Sequence, residues 1–200
     1  FPVAWSYLAS FKMPVDVIDP SKILSFTSPT LMNYKMAIES FGILFVTMNS
    51  LIVGLLTAAI SVALGLPAAF ALVMRYDKSW SEKLAFWFLS IRMMPLIVPL
   101  IPLYLLLNVL GAIDTYWGLI LVYLMIGLPF SIWLLREFLI RLPREIYESA
   151  LIDGASYLRI LRYIIVPISK PGISTSLIFV FLFCWQELLA ATIFTHARTR

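Results

Sequence analysis

The chain has 200 residues, of which 62% are hydrophobic and only 13% are charged, and its mean hydropathy is +0.95. Average soluble domains are about 45–50% apolar and about 25% charged, so this composition excludes an ordinary soluble fold and predicts a protein surrounded by lipid. The formal net charge is +4. It is not gathered into the basic patch that nucleic-acid binding requires, so we expect no nucleic-acid partner.

The segment 1–48 is predicted to lie before the main membrane domain. The chain begins with Phe1 and has no signal-peptide pattern, so we expect a fragment of a longer protein. Residues Phe1–Phe11 are interpreted as the end of a preceding span. Residues Lys12–Ser40 contain charges, prolines and small polar side chains, which predicts an external connection with little regular structure.

A membrane domain is predicted over residues 49–191. A spanning helix needs about 20 mostly apolar residues. Four segments meet this requirement: 49–74, 84–110, 117–139 and 168–191. Residues 192–200 are predicted to form an external loop. The fold class is therefore an all-α, polytopic bundle of transmembrane helices.

The distribution of Lys and Arg predicts the orientation. These residues are concentrated in Arg75–Lys83 and in Arg136–Lys170, whereas the loop Gly111–Tyr116 has none. Cytoplasmic loops carry an excess of Lys and Arg. Alternation of the four spans independently places the two basic segments on one side, which is then the cytoplasm.

Prolines interrupt the second and third predicted spans. Pro95, Pro99 and Pro102 fall in the second span and Pro129 in the third. Each frees backbone carbonyls that a neighbour must satisfy. The pattern is equally consistent with kinked helices that line a gated pathway and with static kinks accommodated by packing.

Arg92 and Glu187 are candidate functional residues among the charged side chains of the predicted spans. Arg92 is about two turns inside the second span, where it extends toward lipid phosphates, pairs with another side chain in a structural role, or takes part in gating. Glu187 follows Trp185 and Gln186 near the outer end of the last span. A carboxylate, an amide and an indole suit a polyhydroxylated ligand, but Trp is also enriched at membrane interfaces. Asn49, at the start of the first span, is a similar candidate.

The remaining reactive residue types are isolated. Cys184 is the only cysteine, which excludes an internal disulfide, and we interpret it as a small buried apolar side chain. His196 is the only histidine and is interpreted as a loop residue. Since no cluster of His, Cys, Asp and Glu has metal-ligand spacing, no metal site and no catalytic site are predicted.

Residues 141–163 are predicted to form two short helices between the last two spans. Pro143 suits the start of the first helix, Gly154 suits its end, and Ser156 is placed to cap a second helix over Tyr157–Arg162. Pro167 and Pro171 are then predicted to break the chain before the last span. Lipid does not require such a polar surface, so we expect a protein partner.

The sequence of this loop resembles a motif of ABC importer permeases, written E-A-A-x3-G-x9-I-x-L-P. The chain reads ESALIDGASYLRILRYIIVP from Glu148 to Pro167 and keeps every offset. Ser149 replaces the first Ala, Ala150 matches the second, and Val166 replaces Leu. Asp153-Gly154-Ala155 and Trp185-Gln186-Glu187 further resemble the carbohydrate-uptake branch, similar to the smaller permease of maltose-type systems. Gln186 departs from the Asn usual in that branch.

The resemblance implies a transport subunit rather than an enzyme, in a bacterial or archaeal plasma membrane. Family members have six spans, so the first and last would be absent or truncated here. The loop would dock on a cytoplasmic ATPase dimer through coupling residues: Glu148, Ser149, Ala150, Asp153, Gly154, Ala155 and Pro167. A second permease subunit and an external solute-binding protein would complete the importer.

The resemblance also implies alternating access driven by ATP. No G-x4-G-K-[ST] phosphate loop occurs in the sequence, so ATP and Mg²⁺ are expected on the ATPase and no cofactor on this chain. The cargo is expected to be a sugar or oligosaccharide that meets Asn49, Trp185, Gln186 and Glu187. An importer of amino acids, peptides or another solute, a membrane-embedded enzyme and a channel remain the alternatives.

Overall fold

The computed structural model describes residues 2–19, 21, 29–74, 78–91 and 93–195. Within those residues the regular structure is helical, as the sequence predicts. The described part falls into two compact units that divide after Met48. Arg92 and His196, to which the sequence analysis assigns roles, lie outside the described residues.

The described residues of the first unit before α4 form three short helices: α1 (Pro2–Ser10), α2 (Pro14–Val17) and α3 (Met32–Glu39). The amide of Asn33 donates hydrogen bonds to the carbonyls of Ser10 and Lys12, at 3.0 and 2.7 Å. Tyr34 shares a 2.7 Å hydrogen bond with Ser10. The expectation of little regular structure over 12–40 is therefore wrong for α2 and α3, because these side-chain contacts to the end of α1 stabilise a short helix whose sequence pattern is weak.

The second unit is built around two long apolar helices, α4 (Ile43–Met74, which begins before the division) and α7 (Tyr116–Leu139). Both are long and apolar enough to cross a membrane. The first begins six residues before the predicted Asn49, because Ile43–Met48 continue the helical pattern. Thr115 begins α7 by accepting a 3.0 Å hydrogen bond from the Gly118 amide.

The predicted span over 84–110 is divided between two helices, α5 (Lys78–Ile91) and α6 (Ile97–Val109). Pro95 lies in the break, between the turns formed by Met93 and Leu96. Proline disfavours helical backbone at the residue before it and has no amide hydrogen to donate. One continuous helix over this segment is therefore a wrong expectation.

The region after α7 contains α8 (Glu145–Ile152) and α9 (Tyr157–Ile160), followed by a π-helical turn over Leu161–Ile165 and by α10 (Val166–Ile168). The second loop helix was expected to continue as an ordinary helix to Arg162. Instead, the Val166 amide reaches back five residues to the Leu161 carbonyl. Pro167 has no amide to offer, which favours this wider turn immediately before it.

The last apolar segment is α11 (Lys170–Gln186), followed by α12 (Leu189–Phe194). The helical stretch Tyr157–Ile168 meets α11 at an angle of 78°. The bend is at Ser169, between the two prolines that were expected to break the chain. Pro167 and Pro171 each lie in the first turn of a helix, where proline is tolerated, so the break falls between them. The predicted helix to Ala191 also ends early, at Gln186.

Two apolar clusters form the core of the second unit. One joins α4, α6, α7, α11 and α12 around Val122 and Val180, which are fully buried. The other joins the opposite end of α4 and α7 to α8, α9 and the π turn, around Leu135 and Ile160. The second cluster fixes residues 145–165 against the long helices.

Candidate coupling surface and substrate cavity

The coupling loop, residues 141–163, is held against the second cluster by Tyr147. Its side chain is 4% exposed, and its ring meets that of Phe70 edge-on at 6.3 Å. Burial raises the pKa of the Tyr147 hydroxyl above its ordinary value of 10.0, although nearby Arg144 opposes the shift, so the group stays protonated at neutral pH. Tyr147 was not predicted from the sequence, in which its helical spacing from Leu151 was the available signal.

The turn after α8 depends on Gly154, whose φ is +79°. The Ala155 amide donates to the Ala150 carbonyl at 2.9 Å, and the Gly154 amide donates to the Leu151 carbonyl at 3.0 Å. These are the crossed bonds of a Schellman-type helix end. No atom lies within 4 Å of a Cβ built at Gly154, so backbone strain rather than a clash favours glycine there.

Ser156 begins α9, as its sequence position predicts. Its hydroxyl oxygen accepts a 3.4 Å hydrogen bond from the Arg159 amide, and its backbone is extended. The two short helices are therefore closed at the turn by Gly154 on one side and Ser156 on the other.

The predicted coupling residues divide into an exposed and a half-buried group. The exposed ones are Glu148, Ser149, Asp153, Gly154 and Pro167. Ala150 and Ala155 pack instead against the second core cluster. Their small size therefore lets the loop approach its own membrane helices.

Apolar side chains complete the exposed face of the loop. Ile152 is 87% exposed and Leu158 is 74% exposed, beside the acids Glu148 and Asp153. Exposed aliphatic side chains rimmed by charges are typical of protein-binding surfaces. Neither residue was singled out from the sequence, because helical spacing alone does not show which face of a short helix is covered.

A second candidate site lies near the far end of α11. A cavity of about 460 Å³ is lined by Phe179, Leu182, Phe183, Gln186 and Glu187. Aromatic walls with an amide and a carboxylate at one end combine apolar contact with hydrogen-bonding groups, as small-molecule sites do. Two of the four predicted substrate residues, Gln186 and Glu187, therefore share one cavity.

Glu187 also has a structural role. One carboxylate oxygen accepts from the Leu189 amide at 3.0 Å and the other accepts from the Ala190 amide at 2.8 Å. The Tyr123 hydroxyl donates to the Glu187 carbonyl at 3.2 Å. These bonds stabilise the start of α12 after the break in α11.

The other two predicted substrate residues lie outside the lining of this cavity. Asn49 is 2% exposed and accepts a 2.7 Å hydrogen bond from the Tyr116 hydroxyl, which joins α4 to α7. Trp185 is 46% exposed and stacks obliquely on Phe181 at 5.5 Å. Cys184 is buried, as predicted for a small apolar side chain.

Comparison with known proteins identifies the family. A model of the binding-protein-dependent transport system inner membrane component matches residues 61–197, which include residues 141–163, all of α7 and the second part of α4. The chain belongs to this family of ABC transporter permeases. It is therefore a multi-pass plasma-membrane transport subunit, and the family description implies a binding protein and an ATPase as partners.

Individual relatives are similar over most of the chain. A putative ABC transporter permease protein of Streptomyces antibioticus is 34% identical over 82% of the chain and 72% of its own length. The trehalose transport system permease protein SugB of Mycobacterium tuberculosis is 34% identical over 98% and 71%. The alpha-glucoside transport system permease protein AglG of Rhizobium meliloti is 38% identical over 84% and 45%.

Proposed function

We propose that this permease passes a sugar or oligosaccharide across the membrane in an ATP-driven importer. The observation that carries the proposal is the cavity of about 460 Å³ on α11, in which Phe179 and Phe183 lie beside Gln186 and Glu187. Aromatic faces suit the apolar faces of sugar rings, while amide and carboxylate oxygens accept from hydroxyls. The trehalose and alpha-glucoside systems named for two relatives support the same cargo class.

The coupling loop is proposed to dock on the ATPase dimer at the cytoplasmic face. Glu148 and Asp153 supply exposed negative charge, and Ile152 and Leu158 supply exposed apolar area. Gly154 and Ser156 set the angle between the two short helices that present this face. In this arrangement ATP and Mg²⁺ bind the ATPase, and a second permease subunit completes the pathway.

Transport is proposed to follow alternating access. Closure of the ATPase dimer moves α8, and the packing of Tyr147 on Phe70 carries that movement to α4. The pathway then faces outward and receives cargo from the external binding protein. Hydrolysis of ATP returns the pathway to the inward-facing state.

The coupling role is tested by uptake in the complete importer. Gly154→Asp should reduce ATP-coupled uptake at least about tenfold, because a non-glycine residue at positive φ distorts the turn that presents the docking face. Glu148→Gln should reduce it less, while Glu145→Gln, the same change on the same helix outside the motif, should have little effect. Normal uptake by Gly154→Asp with normal membrane insertion would contradict the assignment.

The cargo class is tested with a panel of labelled sugars, polyols, amino acids and peptides offered to the same importer with its binding protein. Uptake confined to sugars or oligosaccharides is expected. Competition by an amino acid or a peptide would instead favour the alternative, an importer of another small solute on the same scaffold.

A further inference from the structure

A second polar cavity lies at the opposite end of the long helices, away from the cargo cavity. It has a volume of about 220 Å³ and is formed where α4 and α7 end and where α5 and α8 begin. Two helix starts and two helix ends meet there, so their dipoles largely offset one another. The charge in the cavity is therefore determined by side chains, chiefly Arg136, Arg144 and Glu82.

Arg136 is held in a fixed orientation at this cavity, with its side chain 8% exposed. Its Nη1 atom donates to the Glu137 carboxylate at 2.8 Å, and its Nε atom donates to the Ser81 hydroxyl oxygen at 3.3 Å. Ser81 donates in turn to the Leu72 carbonyl at 2.9 Å. The guanidinium therefore connects the last turn of α7 to the first turns of α5 and the end of α4.

Part of the hydrogen-bonding capacity of Arg136 is unused. A guanidinium carries five N–H donors. Among the described residues, acceptors are found for Nε and Nη1 but not for Nη2. Nη2 is not among the buried side-chain atoms of the described residues that lack a partner, so it is open to the cavity and can donate to an acceptor bound there.

Other groups on the cavity wall can bind the same acceptor. Arg144 is exposed at the start of α8 and supplies a second guanidinium. The Tyr147 side chain also lines the cavity, and its protonated hydroxyl is a donor. Arginine pairs geometrically with phosphate oxygens through parallel N–H bonds, which favours a phosphate over a simple halide ion.

We propose that this cavity, lined by Arg136, Arg144, Ser81 and Tyr147, binds a phosphate group at the membrane boundary. The group belongs either to an anionic lipid or to a phosphate in solution. A basic pocket between membrane helices, at the ends predicted to face the cytoplasm, is a typical lipid headgroup site. Binding there joins α8 to α4, α5 and α7 and so stiffens the base of the coupling loop. This inference does not depend on the cargo.

The experiment measures thermal unfolding of the complete detergent-solubilised transporter. The probes are short-chain phosphatidylglycerol and, separately, inorganic phosphate, with sodium chloride at equal ionic strength as the blank. A ligand that binds only the folded state raises the unfolding midpoint in proportion to the logarithm of its concentration, which gives an apparent Kd.

Three variants test the site. Arg144→Gln should weaken the apparent affinity about three- to tenfold, since it removes one charge-assisted contact from an exposed residue without a buried gap. Glu82→Gln should strengthen it by up to about fivefold, since it removes the opposing carboxylate. Arg141→Gln, the matched control outside the cavity lining, should leave it unchanged.

Each outcome either supports the proposed phosphate site and identifies the source of the phosphate, or overturns the proposal. A response to phosphatidylglycerol alone supports the proposal and assigns a lipid, whereas an equal response to inorganic phosphate supports it and assigns a solution anion. No response beyond the chloride blank overturns the proposal. Equal losses in Arg144→Gln and Arg141→Gln would also overturn it, because the effect would then be a general charge effect at this face.

Discussion

Individual residues at the ends of the helices carry much of the structure that positions the two candidate sites. Gly154 and Ser156 close the turn between α8 and α9, and Glu187 closes the break between α11 and α12. The side chains of Ser156 and Glu187 accept hydrogen bonds from amides that a helix start leaves without partners. Gly154 instead permits the tight turn in which backbone amides bond to the last carbonyls of α8. The residue identity is therefore set by local backbone chemistry as well as by contact with a partner or cargo.

Glu187 can be tested for its structural role independently of its proposed contact with cargo. Glu187→Ala removes acceptors for two amides at the start of α12 and should destabilise the helix by about 1 kcal/mol. For a domain of this size that corresponds to a fall of about 2–4 °C in Tm. Thermal unfolding of the purified transporter without substrate measures the change.

The matched control is Gln186→Ala, which alters the neighbouring residue of the same cavity without removing a helix cap. Its Tm should stay close to that of the unaltered protein, while both variants should raise the KM for the transported sugar. Equal Tm values for the two variants would show that the Glu187 carboxylate does not stabilise α12.

The sequence predicts a helix-end role for some of these residues but not for others. Gly154 and Ser156 are recognisable because the loop around them is polar and their spacing is that of a helix end followed by a helix start. Glu187 was expected to meet cargo because it follows Trp185 and Gln186, and the sequence shows no sign of a break at Leu188. Tyr147 was missed because its burial depends on Phe70, 77 positions earlier in the chain.

The position of one helix against another depends on close approach at small residues as well as on apolar packing. Gly172, in the first turns of α11, faces Phe138 near the end of α7. A Cβ atom at Gly172 would lie 2.7 Å from the Cγ atom of that ring, well inside van der Waals contact. The approach of α11 to α7 just after the 78° bend therefore depends on the missing side chain.

Gly172→Ala should destabilise the transporter by about 1–3 kcal/mol, because the added methyl group forces the ring or the helix to move. Phe138→Ala in the same chain should recover part of that loss, because it removes the Cγ and both Cδ atoms that the added methyl group meets. The free energies of unfolding of both single variants and the double variant give the coupling between the positions. Strict additivity of the two effects would contradict the proposed contact.

At the level of elements, the sequence predicts helices and membrane character but not where helices break. Three prolines mark 84–110 as irregular, yet only the structure shows that the break is at Met93–Leu96 and leaves two helices. Pro167 and Pro171 were expected to break the chain before the last span, and the 78° bend does lie between them at Ser169, with each proline in the first turn of a helix. Proline restricts the backbone locally, and the surrounding packing decides whether the restriction gives a start, a kink or an end.

At the scale of the whole molecule, the two candidate sites lie at opposite ends of the long helices of the second unit. The predicted coupling loop packs on the end of α4 that contains Phe70, and the candidate substrate cavity lies by Gln186 and Glu187 at the far end of α11. The basic residues of the loop region predict that the first end faces the cytoplasm. The hydropathy and the charge pattern therefore predict the class of protein and its orientation. The shapes of the cavities are seen only in the folded structure.

The orientation is tested by cysteine labelling in a Cys184→Ala background, which removes the natural thiol. Ser149→Cys, on the exposed face of α8, should react with a membrane-impermeant reagent only in inside-out vesicles. Leu188→Cys, 72% exposed at the α11–α12 break, should react only in right-side-out vesicles. Labelling of both positions from the same side would contradict the predicted arrangement.

The π-helical turn over Leu161–Ile165 gives the fixed length of the motif a geometric meaning. The nine residues between Gly154 and Ile164 include part of a turn that is wider than an α-helical one. In a helix, one residue fewer would shorten this stretch by only about 1.5 Å, but it would rotate α9 by about 100° about the helix axis, the angle that one residue occupies. The side chains of α9 would then point in a different direction about the helix axis. The spacing of the motif therefore sets the direction in which the docking face points about the axis of α9. It has much less effect on how far that face lies from the membrane helices.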